Sequence, residues 1–478
     1  MMHRLTRILL IGASSAALAA CGAAATRPLP TAELQQSWEG TPDGAAISEA
    51  PPIAWWREFD DPVLDRLIET AESRNLDLRL AQSRVAEARA LRKGARAELF
   101  PELTGGGDAE RSRTRPRNQA ANPGPTRTEN TFGLSLGASW EADLFGRLQS
   151  EARAASADLE ATEADRDAVR LTLLAEVART YLEYRLYQAQ AGLAQKNADA
   201  QGGTVRITRA RFDQGMSSRF DLERIIAQQS TTRAAVPQAR EQAESARHRL
   251  VLLLATTPEQ LNGMMPPDSP MPDADPVAVL ATPTQVVALR PDVRAAERRL
   301  LAASERVRAA QALRYPQITL SGLLGVESAR VGDLFSPGTR VWSAGASLLQ
   351  PLFDFGRIRA AIDAADARQE QAYLDYELTV RTALQEAQTA IVLYTEGVIR
   401  QRELGNAVTA AAKAAELANR QYKEGTLSLL EVLDAERALY EAETQWTSAT
   451  ADVALRLVSL YQTMGIVPPA TPTLAAGG

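Results

Sequence analysis

The chain of 478 residues is 45% hydrophobic, 23% charged and only 5% aromatic, and its formal net charge is −6. This acidic balance argues against nucleic acid as a partner, because nucleic-acid-binding proteins carry clustered positive charge. The single cysteine and the two histidines exclude an internal disulfide and a metal site built from several such side chains. We therefore predict no cofactor and no metal ion.

The first residues have the pattern of a lipoprotein signal. A basic start is followed by an apolar run too short to span a bilayer, and the run ends in Leu18-Ala19-Ala20-Cys21. This pattern is typical of a lipobox, where diacylglycerol is attached to Cys21, the chain is cut before it, and a fatty acid such as palmitate acylates the new amino terminus. Gly22 after the cysteine favours release to the outer membrane of a Gram-negative bacterium. The alternative is an ordinary secretory signal with a chance cysteine.

Two motifs recur with the same spacing, from residue 146 to 356 and from 215 to 425. The motif Asp143-Leu144-Phe145-Gly146-Arg147 is repeated as Phe353-Asp354-Phe355-Gly356-Arg357. The motif Arg211-Phe212-Asp213-Gln214-Gly215 is repeated as Gln421-Tyr422-Lys423-Glu424-Gly425. Because the motifs come in the same order in each half, we interpret the chain as an internal duplication.

Proline-rich stretches divide this duplicated chain into segments. We predict a signal peptide over 1–20, a lipidated arm over 21–55, a first repeat over 56–255, a Pro-rich linker over 256–285, a second repeat over 286–465 and a flexible tail over 466–478. Within each repeat we expect a helix, two strands and two very long helices. The first helix is expected to cover 62–99 and to be stopped by Pro101.

The hydrophobic period changes to two from residue 131 onwards. On one side of this strand lie Phe132, Leu134, Leu136, Ala138 and Trp140, and small or polar residues lie on the other. The second half has the same alternation around Trp342. This alternation is typical of an outer-membrane strand of about ten residues, and equally of a half-buried strand in a soluble sheet. The alternation alone leaves both interpretations open.

Two proline-free segments, 147–212 and 357–422, predict helices of roughly 100 Å each. Gly202-Gly203 weakens the first of them, and a bend there is left open. A heptad pattern in the last helix places Val432, Leu439 and Trp446 on one seam, which predicts supercoiled packing. A solid soluble coiled coil fits this period as well as any hollow assembly does.

In these motifs the chain resembles the TolC-type outer-membrane efflux proteins, and in particular the lipidated branch that serves RND multidrug pumps. The resemblance covers nearly the whole mature chain. Besides the two repeated motifs, it is carried by Phe59-Asp60-Asp61-Pro62-Val63-Leu64 and by Leu289-Arg290-Pro291-Asp292-Val293. Each motif is weak alone, but together, in order and doubled, they are highly specific.

The resemblance implies a mainly α fold with a β-barrel part. Each protomer of a homotrimer would give four strands to a shared 12-stranded transmembrane barrel and its long coiled-coil helices to a periplasmic α-barrel. The implied function is passive export of small molecules such as drugs, with a periplasmic adaptor and an inner-membrane RND transporter as partners and no enzymatic activity. The alternatives are a type I protein-secretion channel and a lipid-anchored coiled-coil scaffold without a pore.

The resemblance also assigns site residues. The helix-hairpin turns at Gly215 and Gly425 would form periplasmic tips that contact the adaptor, and Glu431 and Asp434 would ring the entrance as a gate. Without the resemblance, these two carboxylates are simply a solvated helix face. The lipid-facing barrel surface would contain Phe132, Leu134, Leu136, Trp140 and Trp342. We interpret Asp143 and Asp354 as acids that oppose the dipole at a helix start.

Overall fold

The computed structural model describes residues 37–39, 46–47, 54–114, 126–266, 271–272 and 279–466. Cys21, the predicted signal peptide and most of the arm lie outside the described residues, as does the chain after Ile466.

The element order repeats between the two halves of the chain. The first half contains β1 (Ala46–Ile47), α1 (Pro62–Arg74), α2 (Leu76–Ala97), β2 (Glu102–Thr114), β3 (Arg127–Glu141), α3 (Arg147–Asp213) and α4 (Arg219–Leu253). After the short α5 (Pro258–Met264) the second half contains β4 (Val279–Leu280), α6 (Pro283–Leu289), α7 (Pro291–Ala312), β5 (Gln317–Ser328), β6 (Arg340–Leu349), α8 (Arg357–Lys423) and α9 (Leu429–Thr463).

The long helices match their predicted bounds. Both α3 and α8 have 67 residues, and both α4 and α9 have 35. Helix α3 continues without a break through Gly202. A Cβ at Gly202 would lie 2.8 Å from Nε2 of Gln229, which donates to the backbone oxygen of Ala198 at 3.0 Å. Gly202 therefore gives α4 room to approach α3 closely.

The single helix predicted over 62–99 is wrong, because the structure divides it at Asn75. Asp61 caps α1 by accepting from the backbone N–H of Val63 at 2.7 Å, and Pro62 starts the helix. The side chain of Asn75 then accepts from the N–H of Leu78 at 2.9 Å and donates to the backbone oxygen of Leu253, also at 2.9 Å. A side chain that caps α2 and binds a distant helix end thus interrupts the helical pattern.

The chain forms two compact units. The first contains, within the described residues, 85–114, 126–162 and 296–376, and holds the four-stranded antiparallel sheet in the order β2-β3-β5-β6. Its helical parts are joined by Glu305 of α7, whose buried carboxylate pairs with Arg153 of α3 and with Arg308, each at 2.8 Å.

The second unit contains the main apolar core. Fully buried Trp55 stacks on Tyr461 with 5.9 Å between ring centroids and meets Trp56 edge-on at 5.7 Å. Leu64, Leu67 and Ile68 of α1 pack into the same cluster. Aromatic side chains of this size dominate the stability of a core, so the short segment before α1 is fixed to the end of α9.

Within the described residues, no helix combines the length and the apolar character that crossing a membrane requires.

Gly465 provides a test of the packing in the second unit. Its φ is +72°, and a Cβ there would lie 2.7 Å from Cα of Arg290. We expect Gly465→Ala to destabilise the protein by about 2–4 kcal/mol, because it adds backbone strain to overpacking. The measurement is thermal unfolding at fixed protein concentration. The control is Gly192→Ala in α3, where a Cβ meets nothing within 4 Å. A control that destabilises as much as Gly465→Ala would contradict this account.

Candidate functional site

The register of the sheet brings most apolar positions of β3, β5 and β6 onto one face, to which β2 adds Leu103 and Ala109. Leu136 lies opposite Gly105 on one side and Leu324 on the other, and Leu324 in turn lies opposite Trp342. Since side chains alternate between faces with a period of two, partners across the sheet share a face. The same face contains Phe132, Leu134, Ala138, Trp140, Leu320, Ala344 and Leu348.

This apolar face is largely exposed in the single chain. The exposed fraction is 53% for Leu136, 62% for Leu324 and 77% for Trp342. Leu134 is also exposed, whereas Phe132 and Trp140 are half-buried. An exposed apolar face of this extent marks a surface that meets lipid or another protein. The ring nitrogen of Trp140 donates to the backbone oxygen of Leu99 at 2.9 Å, which fixes the indole at the foot of the strand.

The opposite face of the sheet consists mainly of small and polar residues. Ser135 lies between Gly106 and Gly325, and Ser321 lies opposite Ser139 and Gly345. A Cβ at Gly325 would lie 2.7 Å from the backbone oxygen of Leu134, so only glycine fits there. The two faces therefore differ sharply in chemistry, as the sequence predicted.

Both outer strands, β2 and β6, have only one partner in the described part of the chain. The backbone N–H and C=O groups along the free sides of these two strands have no ladder partner among the residues that the structure describes. Such open edges are sites for pairing with another strand.

The strand-to-helix corners are alike in the two halves. The carboxylate of Asp143 accepts from the N–H of Gln149 at 2.8 Å, and that of Asp354 accepts from Ile358 at 2.8 Å and from Gly356 at 3.0 Å. These bonds confirm both aspartates as acids at a helix start. Next to each, a glycine has positive φ, +75° at Gly146 and +88° at Gly356.

The two hairpin turns also share one geometry. Gly215 and Gly425 end α3 and α8 with φ of +74° and +80°, which is the conformation of a glycine helix cap. In the first turn the backbone N–H of Met216 donates to the carbonyl oxygen of Arg211 at 2.8 Å. In the second turn the N–H of Thr426 donates in the same way to the carbonyl oxygen of Gln421 at 3.0 Å. Because this conformation favours glycine, the repeated Gly of the motif is explained by backbone geometry. A role in adaptor contact stays a prediction.

The two predicted gate carboxylates lie in the first two turns of α9. Glu431 forms a capping box with Ser428, accepting from the backbone N–H at 3.0 Å and from the hydroxyl at 2.7 Å. These hydrogen bonds from Ser428 lower the pKa of Glu431 below its usual value. Asp434 is exposed and lies 3.5 Å from Arg437. Both side chains are accessible, and each already has a partner within its own chain.

Sequence reasoning missed a buried network behind α1. Arg185, almost fully buried in α3, donates to the hydroxyl of Tyr181 at 3.0 Å and to the backbone oxygen of Pro266 at 3.2 Å. The Tyr181 hydroxyl donates in turn to Asp61 at 2.6 Å. Desolvation, followed by the bond to Asp61, raises the pKa of Tyr181. Asp61 was visible only as part of a motif, because nothing in the local sequence shows that it accepts from a residue 120 positions away.

Comparison with known proteins agrees with this geometry. The family model described as outer membrane efflux protein matches residues 67–256 and 282–466. The chain is 32% identical over 435 residues to the pyoverdine export outer membrane protein OpmQ of Pseudomonas putida, covering 90% of this chain and 91% of that protein. It is 30% identical over 472 residues to the toluene efflux pump outer membrane protein TtgF of Pseudomonas putida, covering 95% of each.

Among solved structures, that of the outer-membrane channel OprN superimposes with a TM-score of 0.87 and 32% sequence identity, covering 93% of this chain and 98% of that one. The chain therefore belongs to the outer membrane efflux protein family. It is an outer-membrane channel component of an efflux system, which confirms the resemblance predicted from the motifs.

Proposed function

We propose that the protein is the export duct of a tripartite efflux system, a lipid-anchored homotrimer that passively conducts small molecules to the exterior. The observation that carries this proposal is the four-stranded sheet with one exposed apolar face and two unpaired edges. Within hydrocarbon, unpaired backbone groups cost several kcal/mol each, so a membrane-embedded sheet has to close on itself. Four strands are too few for a transmembrane barrel, and three copies supply 12.

The long helices extend the duct into the periplasm in this proposal. At 67 residues, α3 and α8 are each roughly 100 Å long. Helices from three copies would form the wall of a hollow α-barrel, and helices in such a wall do not need to pack around a solid core. The hairpin turns at Gly215 and Gly425 would then be the tips that meet a periplasmic adaptor, beyond which lies an inner-membrane RND transporter.

The nature of the cargo follows from the relatives. TtgF is named for a toluene efflux pump and OpmQ for pyoverdine export, and both names describe the removal of small molecules. We propose cargo of this size class, rather than the proteins exported by a type I secretion channel. A coiled-coil scaffold without a pore has no use for the exposed apolar face of the sheet. The proposed duct needs no catalytic residue.

Paired substitutions on the two faces of β3 test the barrel. Arginine at Leu136, on the apolar face, should cost about 2–4 kcal/mol and impair insertion. Ser135→Arg, one residue away on the small and polar face between two glycines, should insert normally. The measurement is the yield of heat-modifiable trimer in outer-membrane fractions. Equal defects in the two variants would refute the assignment of the faces.

The proposed entrance predicts ion selectivity. In a trimer, Glu431 and Asp434 would bring six carboxylates near one axis, which favours cations. We expect Glu431→Gln with Asp434→Asn to lose cation preference and block by trivalent cations in planar bilayers, while glutamine keeps the capping box. The matched control is Glu416→Gln with Glu441→Gln, which neutralises two exposed carboxylates elsewhere. Unchanged ion selectivity in Glu431→Gln with Asp434→Asn would show that these six carboxylates do not form the selective entrance.

The proposed lipid anchor depends on Cys21. Cys21→Ser should abolish acyl-chain labelling and processing at residue 20. Because the barrel would also hold the protein in the membrane, export should fall without vanishing. The measurements are labelling with a fatty-acid probe and the minimal inhibitory concentration of an exported compound. Labelling that persists in the Cys21→Ser protein would rule out this attachment site.

A further inference from the structure

Close to the second hairpin turn, the helices α3, α8 and α9 enclose a half-buried glutamate. Glu436 lies on α9, two residues beyond Asp434. Its Oε1 accepts from Nδ2 of Asn419 on α8 at 3.1 Å and from the hydroxyl of Thr204 on α3 at 3.3 Å. Its Oε2 is buried, and among the described residues no group donates a hydrogen bond to it. One turn before Thr204 on α3, Oε1 of Gln201 is likewise buried with no donor among those residues.

Among the described residues, no cation pairs with Glu436. On nearby turns of the same helices, Arg211 contacts Tyr422, Arg420 pairs with Glu416, Arg437 with Asp434 and Glu441, and Glu443 with Lys196 and Asn197. The remaining cations on these turns, Arg206, Arg209, Lys413 and Lys423, are exposed. Helix α4 contributes uncharged Ile225 to the adjacent apolar cluster. On the same turns of α4, Arg219 pairs with Glu223, Asp221 forms the capping box with Ser218, and Arg224 is exposed.

Burial therefore dominates the protonation of this group. Desolvation raises the pKa of Glu436, and the hydrogen bonds from Asn419 and Thr204 offset only part of that increase. A carboxylate that is desolvated without a cation favours its neutral form. Protonation of Glu436 at Oε2 would remove the negative charge from the oxygen that no described residue donates to.

We propose that Glu436 is a proton-dependent switch that holds the contact among α3, α8 and α9 closed when it is neutral and loosens it when it is ionised. The contact lies at the base of the hairpin that carries Glu431 and Asp434. Its effect on conduction rests on the proposed entrance at that turn, whereas its effect on packing does not.

The direction of the pH effect follows from linkage. The pKa of Glu436 is higher in the packed contact than in a solvated one, so proton uptake favours packing. The contact is most stable below the ordinary pKa of glutamate, about 4.3. It loses stability as the pH rises from there through the raised value. Acidification should tighten the base of the hairpin, and a neutral periplasm should ease its opening.

Hydrogen exchange of the full-length protein in lipid nanodiscs, followed by mass spectrometry, tests this switch. After correction for intrinsic exchange rates, amides of 429–443 in the wild type should lose about 10-fold in protection between roughly pH 4 and pH 8. Glu436→Gln retains an oxygen acceptor for Asn419 and cannot titrate, so its protection should stay high and independent of pH. The exposed control Glu441→Gln should follow the wild type.

Two results would overturn the proposed switch. The first is wild-type protection that does not change with pH, and this measurement needs no variant. The second is a pH dependence of protection that persists in Glu436→Gln. Failure of the proposed entrance is distinguishable, because it would leave ion selectivity unchanged in Glu431→Gln with Asp434→Asn without affecting the protection of 429–443 in the wild type.

Discussion

The backbone groups at the two free edges of the sheet are the constraint on which the rest of the architecture depends. β2 and β6 each leave one side without a partner in the described chain, and the face between them is apolar and exposed. In water the exposed apolar face favours association, and in lipid the unpaired backbone groups of the two edges cost several kcal/mol each. Closure by further copies satisfies the edges and gives the apolar face a lipid surface, which is why we propose a trimer.

The duplication explains why the two halves of the chain have the same strand-to-helix corners and the same helix hairpin turns. Each half turns from strand to helix with an aspartate that accepts helix N–H groups beside a glycine of positive φ. Each half also reverses its long helices with a glycine cap followed by a serine capping box, at Ser218 and at Ser428. The two halves differ at one of the two proposed gate positions, because Asp221 occupies in the first half the place of Glu431, whereas Arg224 occupies the place of Asp434.

Polar groups inside the helical packing serve different ends in different places. Arg185, Tyr181 and Asp61 are joined by hydrogen bonds at each step, although Nη2 of Arg185 has no acceptor among the described residues. Glu436 is also only partly satisfied. The two groups differ in that Arg185 stays charged, whereas Glu436 can lose its charge by taking up a proton.

Much of the fold was readable from the sequence, because its signals are local. Absence of proline over 147–212 and 357–422 predicted the long helices, and alternation around Leu136 and Trp342 predicted strands with one apolar face. The single helix over 62–99 was wrong, because Asn75 is held by the carbonyl of Leu253, far away in the chain. The buried state of Glu436 was missed for the same reason, since its partners Asn419 and Thr204 lie on two other helices.

By itself the sequence determined the duplication, the element types, the hairpin turns and the membership of the family, because period, proline and repeated glycine act within a few residues of one another. Only the tertiary structure decided three features of the described chain: the register that gathers the apolar faces of β3, β5 and β6 into one surface, the two strand edges without a partner, and the oxygen of Glu436 without a donor. These features depend on which distant groups meet, and a one-residue change of register would reverse the faces of a strand without altering its pattern.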